Sequence, residues 1–137
     1  MAAELERRGW TAAVPLSNTK DFDILAINRS THKQVSIQVK TTQYSLKKWV
    51  LTKNCETLSA PHIKYVFVAL NDLATPEYHI VPSEHVARTV SEDHRNWLAR
   101  PGIKAQPHKD NGIRNFWDKG NKFRNRWELL DETDPSE

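Results

Sequence analysis

A single cysteine, Cys55, stands among 137 residues. One thiol excludes an internal disulfide framework and a cysteine-based zinc site within one chain. Its ordinary role is that of a small, half-buried residue. No apolar run is long enough to span a membrane, and no signal peptide opens the chain, so the cytoplasm is the expected location. Internal repeats and low-complexity segments are also missing. Neither sign of charge dominates: 20 Lys and Arg stand against 17 Asp and Glu, for a net charge of +3 and a pI near 9.1. That mild basic bias is compatible with nucleic acid without requiring it.

What is present reads as a folded domain. A hydrophobic share of 38% beside 27% charged residues is a globular balance rather than a disordered one. The length suits one domain, residues 1–137, with a real core.

The most informative stretch runs from Lys20 to Thr42 (KDFDILAINRSTHKQVSIQVKTT). It predicts two strands, Phe22 to Ile27 and Gln34 to Thr42, joined by the polar loop Asn28 to Lys33. In the second strand Val35, Ile37 and Val39 alternate with Gln34, Ser36, Gln38 and Lys40. Gln38 and Lys40 therefore share a face. Asp23 opens the first strand among apolar neighbours, where a carboxylate is costly without a partner. A hairpin can bring Asp23, Gln38 and Lys40 together at one end of a sheet. A carboxylate, an amide oxygen and an ammonium together suit a hard cation and a phosphate. Asp21, two residues earlier, reads as a loop residue.

Elsewhere the chain predicts a helix over Ala2 to Arg8 capped by Gly9, and a strand over Trp10 to Pro15. Lys48 to Thr52 reads as a short edge strand or extended arm. Tyr65 to Leu70 (YVFVAL) reads as a central strand buried on both faces, with Tyr78 to Val81 as its antiparallel neighbour. Ser83 is the expected N-cap of an amphipathic helix over Glu84 to Ala99. His85 and His94 on that helix are nine apart, which is not the spacing of a helical metal pair. From about 100 to 127, basic residues interleave with Phe116, Trp117, Phe123 and Trp127. The aromatics are expected to pack on the sheet. The cations Arg114, Lys119, Lys122, Arg124 and Arg126, with Lys20, Lys47 and Lys48, are the expected nucleic-acid-binding set. An acidic tail, about 128 to 137, follows.

Asp23, then Gln38-Val39-Lys40 across a hairpin, resembles motifs II and III of the PD-(D/E)XK nuclease superfamily, in its Gln-x-Lys variant. Leu5-Glu6-Arg7-Arg8-Gly9-Trp10 resembles the end of that family's first helix. The likeness covers about residues 2 to 52, and more loosely up to Pro82. It implies a restriction-endonuclease-like fold: a mixed sheet of about five strands flanked by helices. It also implies a Mg²⁺- or Mn²⁺-dependent endonuclease that hydrolyses phosphodiester bonds in DNA. Asp23, Gln38 and the Val39 carbonyl would be metal ligands, and Lys40 would orient water or offset developing charge. The family's first helix carries a glutamate. Glu4 is the candidate here, unless the chain is short of that position or the site lacks the group. Such enzymes often dimerise. Because Gln38 brings no negative charge, the alternative is an inactive nuclease-fold protein that binds nucleic acid or a protein partner.

Overall fold

The computed structural model describes residues 1–17, 22–43, 47–102 and 106–132. Helix α1 (Ala2–Arg7) buries Leu5 and closes at Arg8. Gly9 follows at φ +94°, the left-handed conformation that glycine adopts without penalty. The chain then turns into β1 (Trp10–Ala13), which pairs antiparallel with β2 (Ile24–Asn28). Glu6 reaches back to accept the Ala12 N–H at 3.0 Å and is itself held by Arg29 at 2.9 Å.

The predicted hairpin is present, with β2 starting two residues later than expected. Asn28 ends β2 and makes the turn. Its Oδ1 accepts the N–H groups of Ser30 and Thr31, and its Nδ2 donates to Asp131 across the fold. Strand β3 (Gln34–Thr42) returns antiparallel to β2. It pairs on its other side with β5 (Ile63–Ala69), in parallel, and β5 pairs antiparallel with β6 (Glu77–Pro82). The sheet order is β1-β2-β3-β5-β6, a mixed five-stranded sheet as expected. As the continuous apolar run implies, Val66, Phe67 and Ala69 of β5 are wholly buried.

Pairing fixes the two faces of this sheet. Gln38, Lys40, Tyr65, Phe67, His79 and Val81 lie on one; Ile37, Lys64, Val66 and Ile80 lie on the other. The second face is covered by α1 and the 3-10 turn Trp127–Leu130. Arg8 lies 4.2 Å over the Trp127 ring, and Trp127 tilts against Tyr78. The first face is covered by a separate two-stranded sheet and by α2 (Ser83–Ala99). That small sheet pairs β4 (Lys48–Thr52) with β7 (Ile113–Trp117). Phe116 stacks on Phe67 at 4.5 Å, and Trp49 tilts against Phe67 at 5.2 Å while its Nε1 donates to the Val68 carbonyl.

Two expectations need correction. Ser83 is not the N-cap; Pro82 holds that position. The Ser83 hydroxyl is buried and spent on Ala60, accepting its N–H at 3.0 Å and donating to its carbonyl at 2.9 Å. The serine thus ties the helix start to the loop before β5. Residues 113–117 are a strand, not simply an aromatic extension, and they give β4 its partner. The expectation that the aromatics pack on the core holds for Phe116, Phe123 and Trp127, whereas Trp117 remains 39% exposed. No helix among the described residues is long and apolar enough to cross a membrane.

Beyond β6 the chain closes the sheet with residues 123–125. Ile80 N–H donates to the Phe123 carbonyl and Asn125 N–H to the Tyr78 carbonyl. Asp118 holds this crossing in place: its Oδ2 lies 2.7 Å from Nδ1 of the buried His79 and accepts the Phe123 N–H at 2.9 Å. Removing it strands two buried groups. Asp118→Ala is expected to cost about 1–3 kcal/mol, read as a lower urea midpoint; an unchanged midpoint would show that the clamp contributes nothing.

Candidate functional site

Ladder pairing between β2 and β3 ends at Ile24 opposite Ile37. Asp23 continues the contact in another way. Its N–H donates to the Ile37 carbonyl at 2.9 Å, and its carboxylate Oδ2 accepts the Val39 N–H at 2.8 Å. The two bonds straddle Gln38. A side-chain oxygen does here what a main-chain carbonyl does along a regular ladder, so Asp23 is fixed at the level of Gln38. The second carboxylate oxygen, Oδ1, accepts no hydrogen bond among the described residues.

Gln38 is 8% exposed, while Asp23 lies at the surface and Lys40 is half-buried. Gln38 and Lys40 share the sheet face that carries Tyr65 and Phe67. The Lys40 charge is also felt at Cys55, in the 3-10 turn Lys53–Glu56. Thus Asp23, Gln38, Val39 and Lys40 come together along one short length of β3. Among the described residues no three His, Cys, Asp or Glu side chains gather as a metal cluster.

Glu4 sits elsewhere. It lines a polar cleft of about 440 Å³ with Arg7, Arg8, Tyr78, Glu77 and Arg124. Its Oε1 lies 2.7 Å from Arg7 and 2.8 Å from Arg8. The Arg7 hydrogen bond, foremost, holds its carboxyl below the usual range.

The expected nucleic-acid-binding cations are scattered. Arg114 is buried, bonded to Glu56 and to the Asn111 and Ile113 carbonyls, and so fastens β7 to the turn before it instead of facing solvent. Lys47 pairs with Glu77 at 2.8 Å, and Arg124 lies 3.6 Å from the same carboxylate. Lys119 is 3.4 Å from Asp93. Arg126 pairs with Glu128. Lys48 lies over the Trp117 ring and Lys122 over the Phe123 ring. Lys20 and Asp21 fall outside the described residues. His85 packs on Phe116 and Phe123, and His94 pairs with Asp110 at 2.8 Å.

One network was not anticipated from the sequence. Glu77 on β6 gathers Lys47, Arg124 and, at 3.6 Å, the Nε2 of His79. That last distance is too long for a hydrogen bond, and His79 Nε2 has no other partner among the described residues. The register Ala69↔Glu77 put Glu77 there; nothing in its local pattern distinguished it from a turn residue.

No family model matches the chain, and no curated relative does. A solved structure does: the chain is similar to a bacterial homing endonuclease, I-Ssp6803I, at a TM-score of 0.51 and 13% sequence identity. The match covers 94% of this chain and 82% of that one. At that identity the likeness shows the fold alone.

Two titrations follow from these surroundings. Burial pushes the Cys55 thiol up to about 11. It is therefore neutral at pH 7–8 and shielded, and modification by a thiol-disulfide reagent is expected to be at least ~100-fold slower in folded than in urea-unfolded protein; equal rates would overturn the assignment. The Lys47 ammonium, foremost, holds the Glu77 carboxyl below its usual range. The stability Glu77 supplies is therefore full above the unfolded carboxyl range and is lost as pH falls through the lower, folded value. Glu77→Gln is expected to cost about 1 kcal/mol at pH 7 and progressively less on acidification, measured by urea unfolding across pH 7 to 2.5. A cost independent of pH would show that the charge is not what matters.

Proposed function

We propose that this protein is a metal-dependent nuclease of the PD-(D/E)XK type, acting on DNA through Asp23, Gln38 and Lys40. The observation that carries the reading is the pair of hydrogen bonds from Asp23 to either side of Gln38, which brings a carboxylate and an amide to one level of the sheet, with a lysine two residues on. The similar fold of a homing endonuclease supports it.

The donor set suits Mg²⁺. One exposed carboxylate with an oxygen to spare, a neutral amide and a main-chain carbonyl match an ion that keeps several of its own waters and takes few protein ligands. Bound there, Mg²⁺ would lower the pKa of a water and offset charge on a phosphate. Asp23 supplies the negative charge that holds the cation, and the Val39 N–H fixes the orientation of its carboxylate. Gln38 adds a neutral oxygen. Lys40 meets the negative charge that develops on the phosphoryl oxygens and holds the attacking water. Glu4, bound by Arg7 and Arg8, is left out of this core.

Calorimetric titration with Mg²⁺ and Mn²⁺, beside a cleavage assay on duplex, junction and single-stranded DNA, tests the proposal. Wild type is expected to bind the metal and cut; Asp23→Ala is expected to lose both, and Lys40→Ala to lose cutting by roughly 100-fold or more while still binding metal. Salt-sensitive DNA affinity without metal binding or cleavage would instead make the chain a nucleic-acid-binding module on a nuclease fold.

A further inference from the structure

The foregoing reading makes no use of a cleft of about 230 Å³ between α2 and the outer row of β7. Asp93 and Trp97 stand on its helical side; Ile113, Asn115 and Trp117 stand on its strand side. Alternation explains the second group. Arg114 and Phe116 point into the core, so Ile113, Asn115 and Trp117 point out.

The two tryptophans differ. Trp97 already stacks on His94 at 5.5 Å and on His108 at 4.1 Å, so its ring is engaged. Trp117 has no aromatic partner among the described residues; only the Lys48 ammonium, 5.7 Å from its centroid, attends it. Asn115 is half-buried beside it, and among the described residues its amide makes no hydrogen bond. A planar apolar face next to an unspent donor and acceptor matches the face and edge of a nucleobase. Two cations adjoin its lining residues: Lys48 over the Trp117 ring, and Lys119 3.4 Å from Asp93. Cations so placed suit phosphates on either side of one inserted base.

We propose that this cleft takes one unpaired nucleobase of a nucleic-acid strand, stacked on Trp117 and read at its edge by Asn115. A paired base has its faces covered by neighbours and its edge by its partner, so the ligand is a single-stranded, bulged or extruded base. The inference rests on the nucleic-acid reading above but not on the metal site.

The test is fluorescence anisotropy with a labelled thymidine octadeoxynucleotide and with a duplex of equal length, in EDTA to prevent cleavage. Trp117→Ala is expected to weaken octamer binding roughly ten-fold, Trp117→Phe to restore most of it, and duplex binding to change little. If Trp117→Ala does not fold, as judged by thermal unfolding, Asn115→Ala carries the test, with an expected loss of roughly three-fold. Unchanged octamer affinity in a folded Trp117→Ala, no octamer binding by wild type, or equally tight binding of free thymidine monophosphate would each overturn the proposal. Metal-dependent cleavage abolished by Asp23→Ala would survive any of these results, so the two readings fail separately.

Discussion

Burying the parallel pair β3–β5 on both faces is the constraint to which the remaining elements answer. Parallel strands cannot be joined by a tight turn, and strands covered on both sides need two layers of chain above and below. The crossover between Thr42 and Ile63 meets both needs. It carries β4 and a 3-10 turn across one face, and there β4 finds β7 and sets Trp49 and Phe116 against Phe67. The opposite face falls to α1 and the turn at Trp127–Leu130. Helix α2 follows directly from β6 because Pro82 and Ser83 change strand into helix, with Ser83 anchored at Ala60.

The elements that were legible in the sequence are those whose information is local. The hairpin declares itself because Asn28 supplies its own turn and because β3 alternates over nine residues. YVFVAL announces a strand buried on both sides. Strand β7 gave no such sign. IRNFW is short, its partner β4 lies more than sixty residues earlier, and the residue it turns inward with Phe116 is an arginine. Arg114 reads as a surface cation until the carboxylate of Glu56 and two main-chain carbonyls are seen around it. Ser83 misled for a related reason: its neighbours are those of a cap, but its hydrogen bonds go to a residue 23 positions away.

At the site the same distinction holds. Gln38 and Lys40 share a face by strand periodicity alone, and the hairpin brings Asp23 to them. What could not be read was how the carboxylate is held, since that depends on where the ladder stops. Glu4 was a matter of helix position only, and two arginines at the end of its own helix claim it. The basic residues show the limit of counting charge. Lys47, Lys119, Arg124 and Arg126 each have a carboxylate close by, so the field they present is weaker than their number suggests.

The margins of the main sheet have a consequence for how the protein behaves in company. On one side Glu6 occupies the N–H of Ala12, which faces away from β2, with Arg29 holding it there. On the other, residues 123–125 lie against β6. A bare sheet margin invites another chain to add a strand and so begin an aggregate. Here one margin ends in a charged pair and the other in the chain's own backbone. Crowding many copies together therefore offers them little main-chain hydrogen bonding to share along the margins of this sheet.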